Sequence, residues 1–150
     1  MAESTPELTL HHELLDSQHA ELFRRLADVA EKLDGPEAAI EAAVAALADA
    51  LVTHLAAEER IMDDALYPER SRHKSAHELF MADFLHMRAE LHEEGATPAM
   101  AEWLTERIPD WLRFHITVND VPLGIYLSRR RPQAASARPG SGSPGGQRPC

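Results

Sequence analysis

Six polar side chains sit where this chain should be apolar. His19, His54, Glu58, His73, His77 and His115 all fall on or beside stripes of hydrophobic residues that recur at helical spacing. Such stripes face a core, and burying an unpaired carboxylate costs several kcal/mol or forces it to the neutral acid. One such residue could be an isolated, satisfied core polar group. Here every helical segment contributes at least one, which calls for a shared partner, and a metal centre is that partner. His54 and Glu58 are four residues apart, so one helix face presents both. His73 and His77 repeat the spacing. His115 and Asp120 are five apart, roughly 140° out of phase on an ideal helix. Asp120 therefore joins His115 only where the helix loosens, which we expect at its end. Imidazoles and carboxylates without thiolate suit iron, manganese or zinc. Five histidines and two carboxylates exceed what one ion needs and suit two ions bridged by carboxylates.

The elements that must position these groups are legible as four segments. Leu15, Leu22, Phe23, Leu26, Val29 and Leu33 mark the first helix, with Asp16 as its expected N-cap and Asp34-Gly35-Pro36 as its end. Ile40, Val44, Leu47, Leu51, Leu55, Ile61 and Met62 share a stripe with His54 and Glu58 in a second, Ala-rich helix over residues 37–65. A third helix starts near Ser71 and carries His73, His77, Phe80, Phe84, Met87 and Leu91 to a C-cap at Gly95. Thr97-Pro98 opens the fourth, whose stripe is Met100, Leu104, Ile108, Trp111, Leu112, His115 and Val118. Pro109 should kink this helix, which is expected to end near Asp120, before Pro122. Short loops between amphipathic helices predict an all-α, up-down-up-down antiparallel four-helix bundle. We expect an irregular arm over residues 1–10, the helical domain over 11–127, and a disordered Arg/Pro/Gly/Ser tail over 128–150.

Charge and composition narrow the setting. The 150 residues carry a net charge of −10 and nine histidines. Residues 129–150 hold five Arg and no acid, which leaves about −15 on the rest. So acidic a domain should repel nucleic acid. No run approaches the ~18 to 20 apolar residues of a membrane span. The first twenty residues lack an apolar leader, and the one cysteine is Cys150. A cytoplasmic protein is expected. Oligomeric state stays open, a monomer being one reading.

Asp16-Ser17-Gln18-His19, His54-x-x-x-Glu58, His73-x-x-x-His77 and Trp111-Leu112-x-x-His115-Ile116-x-x-x-Asp120, in that order on four helices, resemble the hemerythrin family, including its bacterial members. The resemblance spans residues 8–127 and matches all seven ligand positions of the motif. It implies one iron held by His73, His77 and His115 and another held by His19 and His54 with one position open. Glu58 and Asp120 would bridge the pair, with an oxo or hydroxo group between the ions. It also implies that O2 binds end-on at the open position, is reduced to hydroperoxide as both irons become ferric, and leaves again without net reaction. Leu22, Leu55, Leu112 and Ile116 lie near the ligands by helical spacing, and either line an oxygen pocket or pack as plain core. The arm departs from the bacterial pattern, offering Leu8 or Leu10 where relatives often carry Trp, and Pro109 is unusual so close to Trp111.

Other polar residues read as surface. His11, His12, His86 and His92 fit no ligand set. Glu59, Asp63 and Asp64 read as a solvated face beside Glu58. Arg129 to Arg131 read as the start of the tail. A ferritin-like oxidase would need Glu-x-x-His pairs, and no histidine here has a Glu three residues before it. A zincin would need a Glu directly after His73, where Lys74 stands. Within the resemblance, an oxygen carrier or store, an oxygen or redox sensor, an enzyme acting on peroxide or nitric oxide, and an iron handler stay open. The apolar neighbours of the open position favour binding over turnover.

Overall fold

Hydrophobic residues three and four apart wind into helices that cannot bury their stripes alone, and four of them pair in a bundle. The computed structural model describes residues 8–130. Helix α1 spans Glu13–Lys32, α2 spans Glu37–Asp64 and α3 spans Arg70–Glu94. The fourth helix, α4, covers residues 98–130 as five consecutive stretches: Pro98–Glu102, a π-helical turn at Trp103–Arg107, Ile108–His115, a second π turn at Ile116–Asp120, and Val121–Arg130. Helix α1 packs on α2, α2 on α3, and α4 on α1, giving the expected all-α bundle.

Local chemistry explains most boundaries. Thr97 caps α4 by accepting the Met100 amide through its hydroxyl (3.2 Å), with Pro98 in the first turn. Gly95 ends α3 at φ +77°, a conformation that disfavours a side chain, and its amide donates to the Leu91 carbonyl (2.9 Å). The start of α1 differs from the sequence reading. His12, not Asp16, is the N-cap, its Nδ1 accepting the Leu15 amide at 3.3 Å. Asp16 lies inside the first turn. Its carboxylate accepts the Leu10 and His12 amides (2.8 and 3.1 Å) and the Thr9 hydroxyl (3.1 Å). Those bonds hold the end of the arm against the bundle, with Leu8 and Leu10 buried.

The end of α4 differs more. The helix does not stop near Asp120 but runs on to Arg130, so residues 128–130 of the expected tail are helical and residues 131–150 lie outside the described residues. Pro122 is accommodated because Val121, just before it, already bonds back five residues, to the Ile116 carbonyl. Pro109 likewise follows a π turn, in which the Ile108 amide reaches the Trp103 carbonyl. The continued helix is anchored by Tyr126, whose hydroxyl donates to the Ala65 carbonyl (2.8 Å) and whose ring packs edge-on against Tyr67.

The antiparallel order sorts the core by chemistry. Phe84, Leu91, Val44, Leu47, Leu104 and Ile108 fill one end. The buried polar residues come from the start of α1, the end of α2, the start of α3 and the later part of α4, so they meet at the other. Contrary to the sequence reading, α2 is long and apolar enough to cross a membrane, with a mean hydropathy of 1.5 over eighteen residues. Its Ile, Val and Leu residues together with its alanines produce that value, and its stripe of Ile40, Val44, Leu47 and Leu51 is buried in the bundle.

Candidate metal centre

All seven sequence-predicted ligand residues are buried, none more than 2% exposed. Helix α1 delivers His19; α2 delivers His54 and Glu58 one turn apart; α3 delivers His73 and His77 one turn apart. Helix α4 delivers His115 and Asp120 across the π turn. Because that turn bonds five residues back rather than four, the fifth residue returns to the face of the first. Asp120 thereby joins His115 within the helix, not at a loosened end. The same turn rotates Val118 outward: the sequence stripe placed it in the core, and it is 41% exposed.

The donor atoms gather in two overlapping groups, one of Glu58, His73, His77, His115 and Asp120, the other of His19, His54, Glu58 and Asp120. Glu58 directs Oε2 at His73 and His77 (both 3.1 Å to Nε2) and Oε1 at His54 (3.2 Å) and His19 (3.8 Å). Asp120 directs Oδ1 at His73 (3.0 Å) and His115 (3.1 Å), and Oδ2 at His19 (2.9 Å) and His54 (3.9 Å). Each carboxylate thus turns one oxygen to each group of histidines.

This arrangement fits cations better than it fits hydrogen bonds. His115 Nε2 lies 3.2 Å from His73 Nε2 and 3.1 Å from His77 Nε2. Nitrogens at right angles around an ion ~2.1 Å away would be about 3.0 Å apart. His54 Nε2, Glu58 Oε1 and Asp120 Oδ1 are buried without a hydrogen-bond partner, a costly state unless something else satisfies them.

Protons take the place of a cation when none is bound. Burial opposes charge on His54 and on His73. Close contact with the carboxylates of Asp120 and Glu58, and their negative charge, outweighs it and lifts both imidazoles to about 9. His19 is raised in the same way, its burial opposed by bonds to Asp120 and Glu58. Burial alone would raise Glu58, but the four surrounding histidines hold it well below the usual carboxylate range. Asp120 is also lowered, its burial and its repulsion from Glu58 outweighed by bonds from His115, His19 and His54.

A second layer braces the rings. Gln18 Oε1 lies 2.9 Å from His54 Nδ1, Asn119 meets His115 Nδ1 at 3.1 Å, and Glu59 Oε1 sits 3.1 Å from His77 Nδ1. Trp111 stacks on His115 (centroids 4.6 Å apart) with Phe80 on its other face (3.8 Å). Sequence reasoning assigned Glu59 to the solvated face with Asp63 and Asp64. The half-buried Glu59 instead bonds a ligand-type histidine, while Asp63 pairs with Lys74 at 2.7 Å. No local signal separates Glu59 from those neighbours, because its partner lies on another helix. Leu22, Leu55, Leu112 and Ile116 are all buried, at 0%, 6%, 2% and 0% exposure. His86 and His92 are exposed and pair with Glu90 and Glu41.

The family model of the hemerythrin HHE cation binding domain matches residues 10–121. The chain is also similar to the bacteriohemerythrin of Pseudomonas aeruginosa, found in three strains of that species. The identity is 29% over 109 residues, covering 72% of this chain and 69% of the relative. A family match across nearly the whole bundle, on helices that bring histidines and carboxylates together in one buried cluster, means that this chain belongs to the hemerythrin HHE family.

Proposed function

We propose that this protein holds two iron ions and binds dioxygen reversibly, as a carrier or store. In this reading His73, His77 and His115 hold one ion, His19 and His54 hold the other, and Glu58 and Asp120 bridge them. The observation that carries it is the imbalance of the two histidine groups around two shared carboxylates. Three histidines and two bridging oxygens nearly complete one ion's surroundings, whereas two histidines and two oxygens leave room for an exogenous ligand. The iron pair would supply the electrons that dioxygen borrows and returns.

The chain's own contribution is position and dryness. Helix pairing sets the donors before any ion arrives, so little ordering remains to oppose binding. In this reading Leu22, Leu55, Leu112 and Ile116, all buried, would line an oxygen pocket and keep water and stray protons from the open position. The stack of Phe80 on Trp111 on His115 keeps the imidazole plane from turning. The test is metal content per chain, followed by visible spectra of the anaerobically reduced protein before and after oxygen. Two irons, with a ligand-to-metal band that appears with oxygen and fades on its removal, are expected. Two irons that oxidise at once without a stable adduct would point to a sensor or an oxidative enzyme. No iron, or one zinc, would refute the reading.

A further inference from the structure

The histidines of the cluster are braced unequally. Gln18 and Asn119, behind His54 and His115, are neutral carboxamides. Glu59, behind His77, is an anion. His19 Nδ1 and His73 Nδ1 are buried with no hydrogen-bond partner. One full negative charge therefore stands behind the three-histidine group and none behind the two-histidine group. Glu59 follows Glu58 on α2, about 100° around the helix, so it leaves the core stripe and reaches His77 from the side. Among the described residues it pairs with no lysine or arginine, its one ion-pair partner being His77.

We propose that Glu59 is a positioning residue that makes the ion held by His73, His77 and His115 the more readily oxidised of the two, acting through the His77 imidazole. The inference rests on the two-ion reading given above. The physical ground is the effect of an outer carboxylate on a ligating histidine. Accepting the Nδ1 hydrogen fixes the ring and makes Nε2 a stronger donor. A stronger donor favours the ion with the greater charge, so losing one electron is easier at that position. Glu59 keeps 37% of its side chain in water, which screens its direct field. The path through the hydrogen bond is short and is screened less. A tenfold change in the ferric-to-ferrous ratio at that one position is the expected scale, equal to about 59 mV for a one-electron couple.

The charge can be moved between the two groups. Glu59→Gln removes it from the three-histidine side, and Gln18→Glu places one behind His54. The iron-loaded full chain is titrated with dithionite through redox mediators, and the mixed-valent state is followed by electron paramagnetic resonance. Glu59→Gln should raise one potential by the tenfold equivalent and leave the other nearly still. Gln18→Glu should lower the second, and the double variant should narrow or reverse their order. In the zinc-loaded protein, proton resonance should show the His77 Nδ1–H moving upfield in Glu59→Gln while that of His54, which faces Gln18 Oε1, stays. Two irons retained with both potentials unmoved, or both moved equally, overturns the inference and leaves the two-ion reading intact. If Glu59→Gln loses iron, Gln18→Glu decides, because an unchanged spacing there overturns the inference too. A wild-type chain that takes up fewer than two irons overturns the two-ion reading first, and this inference with it.

Discussion

Loading the metal-free protein should expel protons, and the structure sets how many. His54 and His73 are held at about 9 by Glu58 and Asp120. At pH 7 each therefore carries its proton in about 99 of 100 molecules, being about two units below its pKa. A metal ion needs the neutral imidazole. Each proton displaced costs about 2.7 kcal/mol at pH 7, or about a hundredfold in apparent affinity. Binding should thus release close to two protons from His54 and His73, with a further share from the raised His19, and apparent affinity should climb steeply from pH 7 to 9, by up to about tenfold per unit for each histidine. Calorimetric titration with zinc in buffers of different ionisation enthalpy counts the protons directly. Release of fewer than one proton at pH 7, or an affinity flat between pH 7 and 9, would refute the argument. The same shifts set the stability of the metal-free protein. Raised histidine values stabilise it fully below about 6.5, and that share is lost as pH rises through about 9. Lowered carboxylate values stabilise it above about 4.5, and that share is lost on acidification. Thermal melting of the metal-free chain should therefore peak between those limits, and bound metal should extend the plateau to alkaline pH.

Four substitutions or length changes test three separate links. His54→Ala should leave one ion per chain and no oxygen adduct while far-ultraviolet circular dichroism stays helical; normal oxygen binding would refute the ligand assignment. Deleting Val118 puts His115 and Asp120 four apart, the spacing of His54 and Glu58, so two ions should still bind. Inserting one alanine after Val118 makes the spacing six and should abolish binding, and equal metal content in the two variants would show that the π turn does not set the phase. Gly124→Ala puts a methyl 2.9 Å from both the Leu10 Cβ and its carbonyl oxygen. It should displace the arm at a cost of about 1–3 kcal/mol, read as a lower melting temperature and faster proteolysis near Leu10.

Spacing alone determined α1, α2 and α3 and the faces they bury. Ile40, Val44, Leu47 and Leu51 repeat at helical intervals, and Thr97-Pro98 and Gly95 carry their own boundary chemistry, so these features depend on neighbours in sequence. The same logic marked His54 with Glu58 and His73 with His77 as pairs, because a regular helix puts residues four apart on one face. What spacing could not decide is anything that depends on another helix. The π turn at Ile116–Asp120 is unfavourable in isolation. It forms where packing of α4 against α1 and the rest of the bundle needs Asp120 inward and lets Val118 face water. Glu59 looked like any other acid on the surface of α2 until α3 brought His77 within 3.1 Å. Asp16 looked like a cap until the arm folded back onto its carboxylate. Local patterns encode which face of a helix is buried, whereas the meeting of donor atoms from four helices is a property of the packed bundle.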